Sequence, residues 1–188
     1  KYQQYIACLD PLGEDRGKTP YALNPEQYGM FLTELFNLWY EDWKKGEQPY
    51  IRQFENYIGI LLGYQPESCE QRGSCGIQNV VEADGSVYPC DFYALDEYKL
   101  GNFNCNRLEE IDKKRKEIAF VEQSQIVAEN CKNCKFYKIC KGGCRRNKDF
   151  NAMNGEYENY FCKSYRIFFD ICLERMIQIV EIIKNQKG

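Results

Sequence analysis

At 188 residues the chain has room for one sizeable domain, or a small domain with an appendage. Its formal net charge of -3 and pI near 5.3 argue against nucleic acid as the main partner, which calls for a basic surface. No apolar run nears the ~18 residues of a membrane span, no secretory signal is visible, and histidine is absent. Without imidazole, any general base or metal ligand comes from carboxylates, thiolates or lysines.

The chain opens at Lys1 directly in strand-like sequence and is read as a piece of something longer. Gln4 to Leu9, mostly apolar and ended by Asp10-Pro11-Leu12-Gly13, predicts a buried strand. Asn24 caps a helix with Pro25 at its first position, and Lys44-Lys45-Gly46 closes it. Tyr28, Phe31, Leu32, Leu35, Leu38 and Trp39 recur on its apolar face. A second helix over 51–62 carries Phe54, Ile58, Leu61 and Leu62 and stops at Gly63.

From Cys69 the composition turns to Gly, Ser, Cys and Gln. Val80 to Ala83 and Ser86 to Cys90 flank Asp84-Gly85, a strong hairpin signal, and Pro89 predicts an edge strand. Leu108 to about Gln123 reads as a charged helix with Lys113 to Lys116 on its solvated face. A polar loop rich in Asn then leads to Cys162. From Lys163 to about Asn185 a long helix predicts packing over the second helix or the hairpin.

The strongest signal is Cys131-x2-Cys134-x5-Cys140-x3-Cys144, four cysteines within fourteen residues, with Gly142-Gly143 allowing a tight bend before the last. Cys69, Cys75 and Cys90 lie upstream and Cys162 downstream, enough for two four-thiolate sites. A disulfide scaffold fits worse, because the cysteine count is odd at eleven and the C-x2-C spacing is short. Zinc and iron–sulfur clusters both accept four thiolates, so ligand type leaves the choice open. Cys8, Cys105 and Cys172 fall outside the pattern; Cys8 and Cys172 read as buried inert thiols and Cys105 as a loop thiol.

The run Cys75-x9-Gly85-x4-Cys90, then Cys131-x2-Cys134-x5-Cys140-x3-Cys144, then Cys162, resembles the SPASM signature that follows the barrel of many radical S-adenosylmethionine enzymes. Cys69, the stretch from Val81 through Cys90 and Asp91 to Tyr93, and Gly142-Gly143-Cys144-Arg145-Arg146 narrow the resemblance to the anaerobic sulfatase-maturating enzymes. Tyr5 to Leu12 is similar to that family's last barrel strand.

The resemblance implies an α+β fold. A mainly helical SPASM domain over 63–188, with a short β-hairpin, would follow the last strand and helix of a truncated partial (β/α)6 barrel over 1–62. It implies two [4Fe–4S] clusters, one held by Cys69, Cys75, Cys90 and Cys144 and the other by Cys131, Cys134, Cys140 and Cys162. S-adenosylmethionine and a third [4Fe–4S] cluster would belong to the full-length enzyme. The C-x3-C-x2-C motif for that third cluster is missing from this chain, so the chain alone is expected to be inactive.

Asp91 would be the general base while a sulfatase cysteine or serine is oxidised to formylglycine, a task suited to a carboxylate buried beside negative charge. Ile6 and Leu9 would line the adenosine end of the cofactor site. The implied partners are a sulfatase polypeptide and an electron donor or acceptor protein, in the cytoplasm. Sister SPASM families that crosslink peptides, and a structural zinc-binding interaction module, stand as the alternatives.

Overall fold

The computed structural model describes residues 1–186. Its largest core is built by three helices. The first, α1 (Pro25–Lys45), starts where the Asn24 Oδ1 accepts the Gln27 N–H at 2.8 Å, and stops at Gly46, whose φ of 74° is left-handed. It buries Tyr28, Leu32, Phe36 and Trp39, a stripe at helical spacing. Phe31 and Leu38, expected on this face, are exposed, because they flank the stripe; Phe36, at its centre, belongs there instead.

Chain order continues through β1 (Tyr2–Gln3), which lies before α1, and β2 (Tyr50–Ile51) and α2 (Arg52–Leu61), which follow it. The last helix, α8 (Cys162–Gln186), packs chiefly on α1 and then on α2, so the expected partner was the lesser one. Phe168 meets Phe36 at 5.9 Å and Phe54 at 5.8 Å between ring centroids. The helices touch closely at Gly29, where an added Cβ would stand 3.0 Å from the Ser164 backbone. Phe168→Ala is expected to cost about 3–5 kcal/mol, read as a fall in the denaturation midpoint, since its ring is wholly buried among other rings.

The predicted strand over Gln4 to Leu9 does not form. Only Tyr2–Gln3 pairs, parallel to Tyr50–Ile51, and Ile6 is 67% exposed. A strand buried on both faces needs neighbours on both sides, and β2 alone cannot supply them. Cys8 is correspondingly exposed, contrary to expectation, whereas Cys172 is buried and Cys105 is exposed in a turn.

The segment after residue 10 is tied down. Asp10 accepts N–H groups from Gly17 at 2.9 Å and Thr19 at 3.1 Å and the Thr19 hydroxyl at 2.8 Å. These donors, Gly17 first, hold its carboxyl down to about 2. A depressed folded-state value means the contribution is full above the unfolded value of 3.8 and is lost as pH falls through about 2. Amide exchange at Gly17 and Thr19 is therefore expected to rise across that acid window; protection unchanged down to pH 2 would contradict this.

The middle of the chain holds α3 (Cys69–Arg72) and an antiparallel sheet of β3 (Val80–Val81), β4 (Ser86–Tyr88) and β5 (Gly101–Asn102). The Asp84-Gly85 hairpin forms, but β4 is central: Val87 and Tyr88 pair with β3, and Ser86 and Val87 pair with β5. Pro89 ends this strand rather than marking an edge.

The predicted charged helix is two pieces, α4 (Leu108–Glu117) and α5 (Phe120–Ser124), broken at Ala119 with φ 47°. Within its basic run Arg115 is buried, not solvated, and donates to Asn79. Two short helices follow, α6 (Glu129–Lys132) and α7 (Tyr137–Cys140). The predicted loop before Cys162 is instead a hairpin of β6 (Lys148–Asn151) and β7 (Glu156–Asn159), with Phe150 opposite Tyr157. Phe136, Ile139 and Phe161 join the main core, which therefore includes side chains from both sides of residue 62. Among the described residues no helix is long and apolar enough to cross a membrane.

Candidate metal centre

All eleven cysteines are free thiols. Cys131, at the end of α6, Cys134 in the following turn, Cys140, at the end of α7, and Cys162, opening α8, line one cavity of about 290 Å³. The Cys134 N–H bonds back to the Cys131 carbonyl at 3.1 Å, the turn that lets a C-x2-C pair face one centre. Gly142, at φ 83°, lies beside this cavity, and a Cβ there would come within 3.9 Å of the Cys131 sulfur. Gly143, at φ 72°, is packed so closely on Asn159 that a side chain would collide with its amide. The two glycines thus let the chain leave one thiol group and enter the other.

That other group is Cys69 at the start of α3, Cys75 three residues beyond it, Cys90 after β4, and Cys144. Cys69, Cys75 and Cys144 line a small cavity of about 10 Å³. The Cys75 N–H is held by the Ser124 hydroxyl at 2.9 Å, and the Cys144 sulfur accepts the Arg146 N–H at 3.4 Å.

The eight thiols fall into the same two groups electrostatically. Burial is the largest influence raising Cys75, Cys90, Cys131, Cys140, Cys144 and Cys162, with Cys90, Cys140 and Cys144 pushed up to about 12. Neighbouring thiols add to it. Cys69 acts on Cys75, Cys75 on Cys90, and both on Cys144; Cys131, Cys134 and Cys162 all act on Cys140. A cation that took the sulfurs as thiolates would offset the repulsion between them.

Among the described residues no three or more His, Cys, Asp or Glu side chains close onto the spacing of a single ion. The sulfurs of the second group surround a cavity instead. The donor chemistry of both groups suits a four-thiolate iron–sulfur cluster, and the 290 Å³ cavity gives the second one room.

Asp91 directly follows Cys90, and its Oδ1 accepts the Cys90 thiol proton at 3.1 Å. It is exposed, not buried as the base was expected to be, because it opens into a cleft of about 490 Å³. Ile6, Leu9, Cys69 and Cys144 line the same cleft, so the sequence-predicted base, the two adenosine contacts and one end of the first thiol group share one space.

No site role was read from the sequence for Glu70, Tyr165, Ser124 or Arg145. Burial raises Glu70 above the usual carboxylate range, and the Tyr165 hydroxyl donates to it, linking the Cys69 segment to α8. The Arg145 guanidinium stacks on Phe120 at 4.5 Å and donates to the Phe120 carbonyl at 2.7 Å. Those pairings are set by tertiary contact across more than twenty residues and leave no local sequence signal.

Residues 69–135 match the family model for the SPASM iron-sulfur cluster-binding domain. A cysteine-type anaerobic sulfatase-maturating enzyme of Clostridium perfringens (strain 13 / Type A) is 45% identical over 184 residues, covering 98% of this chain and 50% of the relative. A serine-type counterpart from Bacteroides thetaiotaomicron is 32% identical over 179 residues, covering 94% of this chain and 42% of its own. The solved structure of native anSMEcpe with bound AdoMet and Cp18Cys peptide superposes with a TM-score of 0.87 at 45% identity, over 96% of this chain and 50% of that one. The chain spans about half the length of the curated relatives it matches. These matches bear out the resemblance read from the cysteine pattern, and those to the sulfatase-maturating relatives extend over nearly the whole chain.

Proposed function

We propose that this chain is the part of a radical S-adenosylmethionine enzyme of the anaerobic sulfatase-maturating type that carries two auxiliary [4Fe–4S] clusters and the general base. Residues 1–62 would end its partial barrel and residues 63–188 form its SPASM domain. The observation that carries this reading is that Cys131, Cys134, Cys140 and Cys162 line one cavity and Cys69, Cys75 and Cys144 another, with Cys90 within electrostatic reach of Cys75 and followed by Asp91 in the adjoining cleft. Cys69, Cys75, Cys90 and Cys144 would hold one cluster, and Cys131, Cys134, Cys140 and Cys162 the other.

When bound, such clusters supply one-electron carriers next to the substrate. The residues of the chain have three tasks. Ile6 and Leu9 offer apolar contact at the adenosine end of the cleft. Asp91 accepts the proton of the substrate thiol or hydroxyl. A Cys90 engaged as a thiolate has no proton left to donate, so ligation frees the Asp91 oxygen for that task.

The balance for a cysteine substrate is simple. The side-chain CH2–SH would lose a hydrogen atom from carbon to the 5′-deoxyadenosyl radical that S-adenosylmethionine supplies in the full-length enzyme, a proton from sulfur to Asp91, and one electron, leaving a thioaldehyde. Water then replaces sulfur as sulfide and gives the formylglycine aldehyde. The clusters that the two cysteine groups would hold would supply the acceptor for that electron, with a protein partner as its final destination, and a reducing cytoplasm would keep the cysteines from pairing as disulfides.

The test is an anaerobic assay of the full-length enzyme with a sulfatase active-site peptide containing cysteine, and separately serine, followed by mass spectrometry. The aldehyde product is expected. A crosslinked peptide of retained sulfur content would replace sulfatase maturation with peptide crosslinking.

A further inference from the structure

Lys148 lies outside both thiol groups, yet it grips the segment that joins them. Its Nζ donates to the Ser124 carbonyl at 3.1 Å and to the Ile126 carbonyl at 3.4 Å. Ser124 is in the wall of the first cavity and holds the Cys75 N–H. Two residues beyond Ile126, Ala128 is in the wall of the second, and its carbonyl accepts the Cys131 N–H at 2.9 Å. On the adjoining strand, the residue paired with Lys148 is Asn159, which also lines the second cavity and donates to the Gly142 carbonyl at 2.9 Å. The half-buried ammonium therefore stands at the partition between the two sites.

Its charge reaches both. Burial lowers the Lys148 ammonium from its ordinary range, and Cys131 of the second group with Cys75 and Cys144 of the first oppose that lowering, so the ammonium lies within electrostatic reach of both. Its two carbonyl partners belong to the segment whose ends wall the two cavities. Arg145 also bears on Cys75, but its guanidinium is committed to Phe120 and Gln123 on the side of the first group.

We propose that Lys148 is a fixed positive charge shared by the two thiolate sites, which raises the reduction potential of the cluster held at each. The inference rests on the reading that both sites hold iron–sulfur clusters. Each such centre takes on one more negative charge when an electron enters it, and a nearby cation held by backbone carbonyls stabilises that reduced form. Because the ammonium is already positioned, its effect requires no rearrangement when the electron arrives. One cation serving both sites keeps their potentials moving together.

The test uses the anaerobically prepared 188-residue chain and its Lys148→Gln and Lys148→Arg variants. Iron and sulfide are counted first, then each couple is titrated under spectroscopic detection. Glutamine, one bond shorter, keeps an N–H donor on the side chain but carries no charge. Both couples of Lys148→Gln are expected to move to lower potential, with about a tenfold smaller reduced-to-oxidised ratio at fixed potential, or 59 mV for one electron. Lys148→Arg is expected to retain the parent values.

Unchanged potentials in a fully loaded Lys148→Gln, a shift in only one couple, or loss of iron from it would each overturn the proposal. Iron loss would leave Lys148 a structural residue alone. A parent chain without clusters would instead overturn the reading of the sites, a result distinct from any of these.

Discussion

Asp91→Asn in the full-length enzyme is expected to abolish formylglycine production, by about 10²- to 10⁴-fold, while iron content and cofactor cleavage stay at parent levels. Asparagine matches the size of aspartate and can still accept a hydrogen bond, but it cannot take a proton from a thiol. Asp91 faces the 490 Å³ cleft together with Ile6 and Leu9, and no histidine exists in the chain to replace it. The measurement pairs aldehyde formation with 5′-deoxyadenosine release under anaerobic conditions. Cofactor cleavage without aldehyde would place the loss at proton removal. Aldehyde formation near the parent rate would assign the base to another group, and a matched loss of both would point to damage of the cleft.

Cys140→Ala is expected to empty the second site and to loosen the core around it. Cys134 and Cys140 pack against the main hydrophobic core, and Phe136 and Ile139, which lie between them, are buried within it. The four cysteines of this site come from α6, the turn after it, α7 and the start of α8, segments joined only by short helices and a hairpin. Ligation of a structural metal is worth about 10–16 kcal/mol in small zinc modules, comparable to the whole net stability of a domain at about 5–15 kcal/mol. The variant should lose about four of about eight irons and unfold at a markedly lower temperature. Undiminished iron would remove Cys140 from the ligand set. Iron loss without any fall in the melting temperature would show that the helices hold the site and not the reverse.

Where the chain announces its own boundaries, the sequence was sufficient. Asn24, Pro25 and Gly46 bracket α1 because capping depends on a few adjacent side chains. Gly63 stops α2 for the same reason. Errors arose where neighbours decide the outcome. Gln4 to Leu9 has the composition of a buried strand but has one short parallel neighbour, at Tyr50–Ile51, and most of it stays irregular. The central position of β4 depends on Gly101–Asn102, which is too short to announce itself as a strand.

The β6–β7 hairpin did carry a local signal, Asn154-Gly155 with Gly155 at φ 72°, but its strands are polar enough to read as loop. In Lys113 to Lys116 a single inward turn of the helix buries Arg115, which a charge run hides.

For the site, residue type and spacing in the Cys131–Cys144 run were visible directly. The division of eight cysteines into two interleaved groups was not, since Cys144 leaves the dense run and Cys162 joins it from beyond a hairpin. That assignment came from the family resemblance. The shared cleft of Asp91, Ile6 and Leu9 joins residues more than eighty positions apart, and its exposure of Asp91 had no sequence signal.

Each of the two thiol groups is proposed to hold a [4Fe–4S] cluster. The iron and acid-labile sulfide content of anaerobically prepared chain, with its visible absorption spectrum, decides this. About eight irons and eight sulfides per chain with a broad brown charge-transfer band is the expected result. Two zinc ions and no sulfide would contradict it and leave a structural metal module.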